Sequence, residues 1–251
     1  MRQPVCSQVI AFAALMWCGL SAAAEAQIAV AANFAEPIKA VAAVLQKTTG
    51  HTLKITLGST GKLYASIKNG APFDVLLAAD TKTPAQLQAD GMTQPGSRFT
   101  YATGKLVLWS ADAAKVDAQG EVLKTGNFRK LALASPKLAP YGAAAAQAMA
   151  QLGLTSALAP KLVQGESIGQ TFGFVYTGNA ELGFVALSQV LEGGKLKSGS
   201  MWVVPQHLYQ PIQQDAVVLQ RGAANPAALA LMALLKSPNI KDLIRSYGYD
   251  I

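Results

Sequence analysis

Cysteine is almost absent from this chain. Cys6 and Cys18 are the only two among 251 residues, and both precede the segment that reads as the folded domain. From residue 19 onward a disulfide, a thiolate metal ligand and a cysteine nucleophile are all excluded. Histidine is equally scarce, with only His51 and His207. Neither has a cysteine or carboxylate beside it, so a zinc site or a histidine base finds no support, and both read as surface residues. Charge is thin as well, at 14% of residues. The excess is basic, +7 with 21 Lys and Arg against 14 Asp and Glu, yet no three basic residues adjoin. A basic arm for nucleic acid is therefore excluded, and an anionic solute stays open as a partner. Beyond the N-terminal segment no apolar run approaches the ~20 residues of a membrane span. What the chain has in quantity is hydrophobic residues, 51% of the total. That excludes intrinsic disorder and supplies one large or two medium cores.

The N-terminal segment reads as an export signal. Arg2 is the only charge before Glu25, Val9 to Leu20 is apolar, and Ala24-Glu25-Ala26 fits a small-x-small cleavage rule. Cleavage after Ala26 is expected, which makes residues 1–26 the signal peptide and Gln27 the mature start. A lipoprotein cut before Cys18 is disfavoured because Trp17 stands where a small residue belongs. The mature protein is expected to be periplasmic, soluble and monomeric.

From Ile28 on, strand and helix patterns alternate. Ile28-Ala29-Val30-Ala31 and Val75-Leu76-Leu77-Ala78-Ala79 are continuous apolar runs of the kind buried in parallel sheets. Asn33 is placed to cap a helix, with Phe34, Ile38, Val41 and Leu45 on one face and Gly50 at its end. Lys105–Trp109, Lys130–Ala134, Leu182–Ala186, Met201–Val204 and Ala216–Leu219 read as strands. Ser135 to Gly142 reads as a Pro-rich loop before a helix from Ala143. The alternation predicts an α/β fold with parallel sheets. Strands at 105–109 and 216–219 are the candidate crossovers between two domains, the first of them discontinuous.

Four turns share one layout, each following an apolar strand and opening a helix. They are Ala32-Asn33, Gly58-Ser59-Thr60-Gly61, Pro140-Tyr141-Gly142 and Gly165-Glu166-Ser167-Ile168. Ligands of open α/β sheets bind beyond the carboxyl ends of strands, and helix N-termini suit anions. Two turns precede the crossover at 105 and two follow it, the arrangement for an anion gripped between lobes. Ordinary capping accounts for any one of them alone. Gly58-Ser59-Thr60-Gly61-Lys62 fails as a phosphate loop, since its glycine spacing is short and Leu63 replaces the magnesium-binding hydroxyl. Ser59-Thr60-Gly61-Lys62 and Lys124-Thr125-Gly126 match two motifs of serine penicillin-binding enzymes. The required S-x-N between them is missing, and Ser237-Pro238-Asn239 comes too late.

The stretches Val30-Ala31-Ala32-Asn33-Phe34, Gly58-Ser59-Thr60-Gly61, Asn69-Gly70-Ala71-Pro72-Phe73-Asp74-Val75, Ala78-Ala79-Asp80, Gly104-Lys105-Leu106-Val107-Leu108-Trp109, Ala139-Pro140-Tyr141-Gly142, Leu182-Gly183-Phe184-Val185-Ala186 and Tyr247-Gly248-Tyr249 together resemble the periplasmic molybdate-binding proteins of ABC importers. The resemblance spans essentially the whole mature chain. It implies a two-lobed periplasmic binding protein fold, each lobe a mainly parallel sheet flanked by helices, with lobe I at 27–106 and 212–251 and lobe II at 107–211. It also implies an oxyanion, molybdate or tungstate, held by neutral donors and delivered to the membrane subunits of an importer. No enzymatic activity, no resident cofactor and no direct metal–protein bond are implied. Carried over, the donors are Asn33 with the Ala32–Asn33 backbone, Ser59 or Thr60 (Thr60 the closer match), Tyr141 and the amide of Ile168. Members of the family with a serine where Asn33 stands and a tyrosine where Ala186 stands differ from this chain at both positions. Two alternatives accompany this reading: another anion such as sulfate, and an exported serine hydrolase using Ser59 activated by Lys62.

Overall fold

The computed structural model describes residues 23–251, so most of the expected signal peptide lies outside the described residues. Twelve strands are β1 (Glu25–Ala31), β2 (Thr52–Gly58), β3 (Val75–Leu77), β4 (Phe99–Gly104), β5 (Leu106–Ser110), β6 (Leu131–Ala134), β7 (Leu162–Gly165), β8 (Leu182–Ala186), β9 (Leu191–Glu192), β10 (Lys195–Leu196), β11 (Ser200–Val203) and β12 (Ile212–Val218). Between them run α1 (Ala35–Thr49), α2 (Thr60–Lys68), α3 (Lys82–Ala89), α4 (Val122–Thr125), α5 (Pro140–Gln151), α6 (Thr155–Leu158), α7 (Ile168–Tyr176) and α8 (Leu187–Val190), with α9 (Pro226–Leu235) and α10 (Pro238–Ser246) at the end.

Two five-stranded sheets carry the fold, in the orders β2-β1-β3-β12-β4 and β11-β5-β8-β6-β7. Each joins a parallel triplet to an antiparallel pair. The expectation of mainly parallel sheets holds, since four strands of each sheet share one direction and one strand opposes them. β12 and β5 run against their neighbours because each returns from the other sheet instead of following a helix back. The expected crossover strands are corrected. β5 lies wholly in the second sheet and β12 wholly in the first, so the chain changes sheets in the links at Lys105 and at residues 204–211. Leu106 accordingly belongs with the second sheet.

The apolar runs are explained by burial on both faces. Along β1, Ile28 and Val30 pack with Phe34, Ile38, Val41 and Leu45 beneath α1. Ala29 faces the opposite way, to Leu63, Ile67 and Leu87 of α2 and α3. In β5 the alternation recurs, with Leu106 and Leu108 in one core and Val107 and Trp109 in the other. A strand covered on both sides has no polar face to display, which is why its sequence looks continuous. Gly50 ends α1 with φ of +74°, a left-handed cap that only glycine adopts without strain.

Three local readings change. β1 starts at Glu25, and Ala26 is fully buried in register with Leu53, so cleavage after Ala26 would strip two residues from a paired strand. Cleavage after Ala24 also obeys the small-x-small rule and leaves β1 whole. α5 begins at Pro140 instead of Ala143, because proline's fixed φ suits the first helical position and its missing N–H costs nothing there. His51 is buried, its Nδ1 accepting the Ala24 N–H at 3.1 Å, whereas His207 is exposed as expected.

Candidate functional site

The four turns named from the sequence meet at one place. A small, tightly closed cavity of about 10 Å³ between the two sheets is lined by Ala31, Ala32, Asn33, Gly58, Ser59, Thr60, Ala79, Ala139, Pro140, Tyr141 and Ile168. All six expected donor residues, Ala32, Asn33, Ser59, Thr60, Tyr141 and Ile168, are in that lining. Each arrives at the start of a helical segment: a single 3-10 turn over Ala32–Phe34, then α2, α5 and α7. Helix starts carry backbone N–H groups without intrahelical partners and the positive end of the peptide dipoles. The lining contains no charged residue. Its chemistry is that of neutral donors, which suits a solute made only of acceptors.

The side chains divide into those already engaged and those left over. Thr60 Oγ1 accepts the Ala79 N–H at 3.0 Å, so its own proton is available to a ligand. Ser59 Oγ is buried with no partner, as is Asn33 Oδ1. These are two of the four such side-chain atoms among the described residues, and both belong to the cavity lining. An unsatisfied buried polar atom costs roughly 1–3 kcal/mol, so their pairing at this one spot marks it as built for a polar occupant. The expectation that Asn33 caps α1 is corrected. The residue that precedes α1 is Phe34, and the Asn33 amide turns inward to donate to Gln214 Oε1 at 2.8 Å and Tyr249 Oη at 2.9 Å.

Behind the lining lies a layer that sequence reasoning did not single out. Gln214 on β12 is fully buried. Its Oε1 accepts from Asn33 and from the Tyr101 hydroxyl at 3.0 Å, and its Nε2 donates to Tyr141 Oη at 3.3 Å. Ser188 Oγ donates to the Asn33 carbonyl at 2.7 Å. Burial drives the Tyr101 and Tyr141 hydroxyls well above their usual pKa and pushes Tyr249 up to about 12, with its bonds to Ser188 and Asn33 opposing the shift. These phenols are therefore neutral donors throughout the physiological range. Gly104 makes room for this layer, since a Cβ there would collide with the Tyr141 hydroxyl and the Gln214 amide. Of these residues, only Tyr249 and Gly104 sat in stretches that had attracted notice. Gln214 lies in an unremarkable Gln-Gln-Asp run with no local signal.

Contacts close the two halves over the cavity. Gly61 N–H donates to the Leu138 carbonyl at 2.9 Å, and Lys62 Nζ pairs with Glu166 at the rim. That pairing removes the hydrolase alternative. Lys62 is engaged with Glu166 at half-exposed positions while Ser59 Oγ is buried without a partner, so the lysine is not poised to deprotonate the serine. Ala186 does not join the cavity, and its N–H donates to Gln189 Oε1 at 2.9 Å.

Two sheets of matching order closing on a charge-free cavity of donors define a two-lobed solute-binding protein. Comparison with known proteins agrees. The family model for bacterial extracellular solute-binding proteins matches residues 26–250, and the chain belongs to that family. Molybdate-binding protein ModA of Azotobacter vinelandii is 56% identical over 243 residues, covering 97% of this chain and 96% of that protein. ModA of Rhodobacter capsulatus is 52% identical, covering 95% and 94%. Among solved structures, the periplasmic molybdate-binding protein of A. vinelandii superposes with a TM-score of 0.87 at 41% identity, over 90% of this chain and 99% of that one. The sulfate-binding protein SubI of Mycobacterium tuberculosis shares the fold alone, with a TM-score of 0.72 at 12% identity over 90% of this chain and 86% of that one. These relatives are binding proteins, not enzymes.

Proposed function

We propose that this protein binds molybdate in the cavity between its lobes and delivers it to the membrane subunits of an ABC importer. One observation carries the reading: four helix starts from two sheets converge on a lining that has hydroxyl, amide and backbone donors but no carboxylate. Molybdate is fully deprotonated at neutral pH and offers acceptors only. A site without a carboxylate takes it and disfavours hydrogen phosphate, whose proton finds no charged acceptor there. Sulfate carries the same charge and no proton, so its exclusion rests on cavity size. Tungstate, matching molybdate in charge and shape, is accepted by the same donors. In this reading the ligand residues are Ala32, Asn33, Ser59, Thr60, Tyr141 and Ile168. Lobe I comprises the chain up to Gly104 with 212–251, and lobe II comprises 106–211. The mature protein works as a periplasmic monomer.

Calorimetric titration with molybdate, tungstate and sulfate tests the proposal. Binding of the first two with at least ~100-fold preference over sulfate, a difference of about 2.7 kcal/mol, is expected. Tight sulfate binding with weak molybdate binding would replace the ligand.

A further inference from the structure

The ligand reading leaves Asn33 in an awkward state. Both amide hydrogens of Asn33 are spent on Gln214 Oε1 and Tyr249 Oη, and the fork that remains is Oδ1, buried and unpartnered. An acceptor is the wrong polarity for a ligand that has only acceptors. The surrounding network, however, reads equally well in reverse. If the Asn33 amide turns over, Nδ2 is released and Oδ1 takes its place opposite Gln214 and Tyr249. If the Gln214 amide turns over as well, its Nε2 donates to Asn33 Oδ1 and to the Tyr101 oxygen. Its Oε1 then accepts the Tyr141 proton. The Tyr101 hydroxyl keeps a partner in the Ala78 carbonyl, 3.1 Å away. Tyr249 Oη, 2.9 Å from Asn33 Nδ2, turns its proton from the Asn33 carbonyl to the atom that replaces Nδ2, and that carbonyl keeps its bond from Ser188 Oγ. Each of these groups stays satisfied, and the only donor set free is Asn33 Nδ2.

Resting on the molybdate reading, we propose that Gln214 is a positioning residue that acts through a paired amide reversal. With the oxyanion bound, Gln214 donates to Asn33 Oδ1 and accepts from Tyr141, which turns Asn33 Nδ2 toward the anion. The backbone is shaped for it. Between Gln214 and Asp215 the β12–β4 register slips, with Ala102 opposite Gln214 and Thr100 opposite Asp215. Tyr101 is thus the extra residue of a bulge, a device that re-aims side chains beside functional sites, and its hydroxyl reaches Gln214. Gln214 also touches both lobes, through Asn33 on one side and Tyr141 on the other. The same reversal spends the Tyr141 hydroxyl proton on Gln214 across the lobe boundary, so Tyr141 meets the anion through its backbone N–H in the first turn of α5. A leucine or methionine of similar size at 214 fills the space but orients neither partner.

The test is a double-mutant cycle on molybdate affinity, measured by calorimetry with Asn33→Ala, Gln214→Leu and the double variant. Gln214→Leu alone is expected to weaken binding at least ~10-fold, the scale of one hydrogen bond to a charged group. In the Asn33→Ala background the same change should cost less than ~3-fold, because its effect passes through Asn33. Additive losses would mean that Gln214 merely supports the fold and would overturn the proposal. A second measurement needs no variant. In the molybdate complex of the wild-type protein, nuclear Overhauser contacts from the Gln214 side-chain NH2 should reach the Tyr101 ring. Contacts to the Tyr141 ring in their place would overturn the reversal. Failure of the wild-type protein to bind molybdate defeats the ligand reading itself, whereas binding with additive losses defeats only the role of Gln214.

Discussion

At the scale of single residues, the site depends on which hydroxyl is free. Ser59 and Thr60 are adjacent hydroxyls at a helix start, and the sequence ranks Thr60 first by resemblance. The structure distinguishes them by their partners: Thr60 already accepts the Ala79 N–H, and Ser59 Oγ has no partner. Thr60→Ala removes a donor and orphans a buried backbone N–H, so a ten- to hundredfold loss of molybdate affinity, about 1.5–3 kcal/mol, is expected by titration. Lys62→Ala should change affinity less than ~5-fold, because its pair with Glu166 is half-exposed and such pairs contribute ~1 kcal/mol or less. Reversal of that order would return the hydrolase reading. Asp80 offers a second residue-scale test. Burial raises its carboxyl above the usual range, with the Thr83 bonds opposing and the Asp215 charge reinforcing the shift. A raised carboxyl favours the fold below its unfolded pKa, and that stabilisation is lost as pH rises through the folded value. Asp80→Asn should therefore raise the melting temperature at pH 7, and the gain should shrink as pH falls toward 4. A gain that grows on acidification would contradict this account.

At the scale of elements, helix starts rather than helix bodies supply the lining of the candidate site. α5 opens with Ala139-Pro140-Tyr141, and taking it as a loop up to Gly142 hid the fact that Tyr141 stands in a helix's first turn. Periodicity could not reveal this, since Ala-rich sequence gives little amphipathic signal and the first turn is set by proline's backbone preference. β1 carries the corresponding lesson at the N-terminus. Its first two residues pair with Thr52 and Leu53, and Ala26 is wholly buried. Intact-mass and N-terminal analysis of exported protein should therefore find Glu25 as the first residue. A chain starting at Gln27 would show that the strand tolerates the loss of this pairing.

At the scale of the whole molecule, closure is the property that matters. Gly61 to Leu138 and Ser188 to Asn33 are hydrogen bonds between lobes, and neither can persist when the cleft opens. Ligand that bridges the lobes should stabilise this closed form. At 100 times Kd the gain is about 2.7 kcal/mol, visible as a higher melting temperature. Small-angle scattering should show a smaller radius of gyration on adding molybdate. An unchanged radius and melting point at saturation would mean that the anion does not bridge the lobes.

Much of this protein is legible without coordinates. The double-sided burial of β1, β3 and β5 writes itself as continuous apolar runs, and the candidate site at the helix starts writes itself as small and hydroxyl residues after those runs. Both signals are local, set by residues a few positions apart. The turns of Asn33, Ser59, Tyr141 and Ile168 could therefore be named individually, and family resemblance could join them. What tertiary structure alone decided is long-range. Gln214 lies 181 positions from Asn33 and 73 from Tyr141, and no spacing rule connects them. The antiparallel return of β12, and a bulge that places Tyr101 beside Gln214, emerge only when both sheets are assembled. The unpaired state of Ser59 Oγ is likewise a property of the packed interior, because a hydroxyl in sequence has no partner to lack until every neighbour is in place.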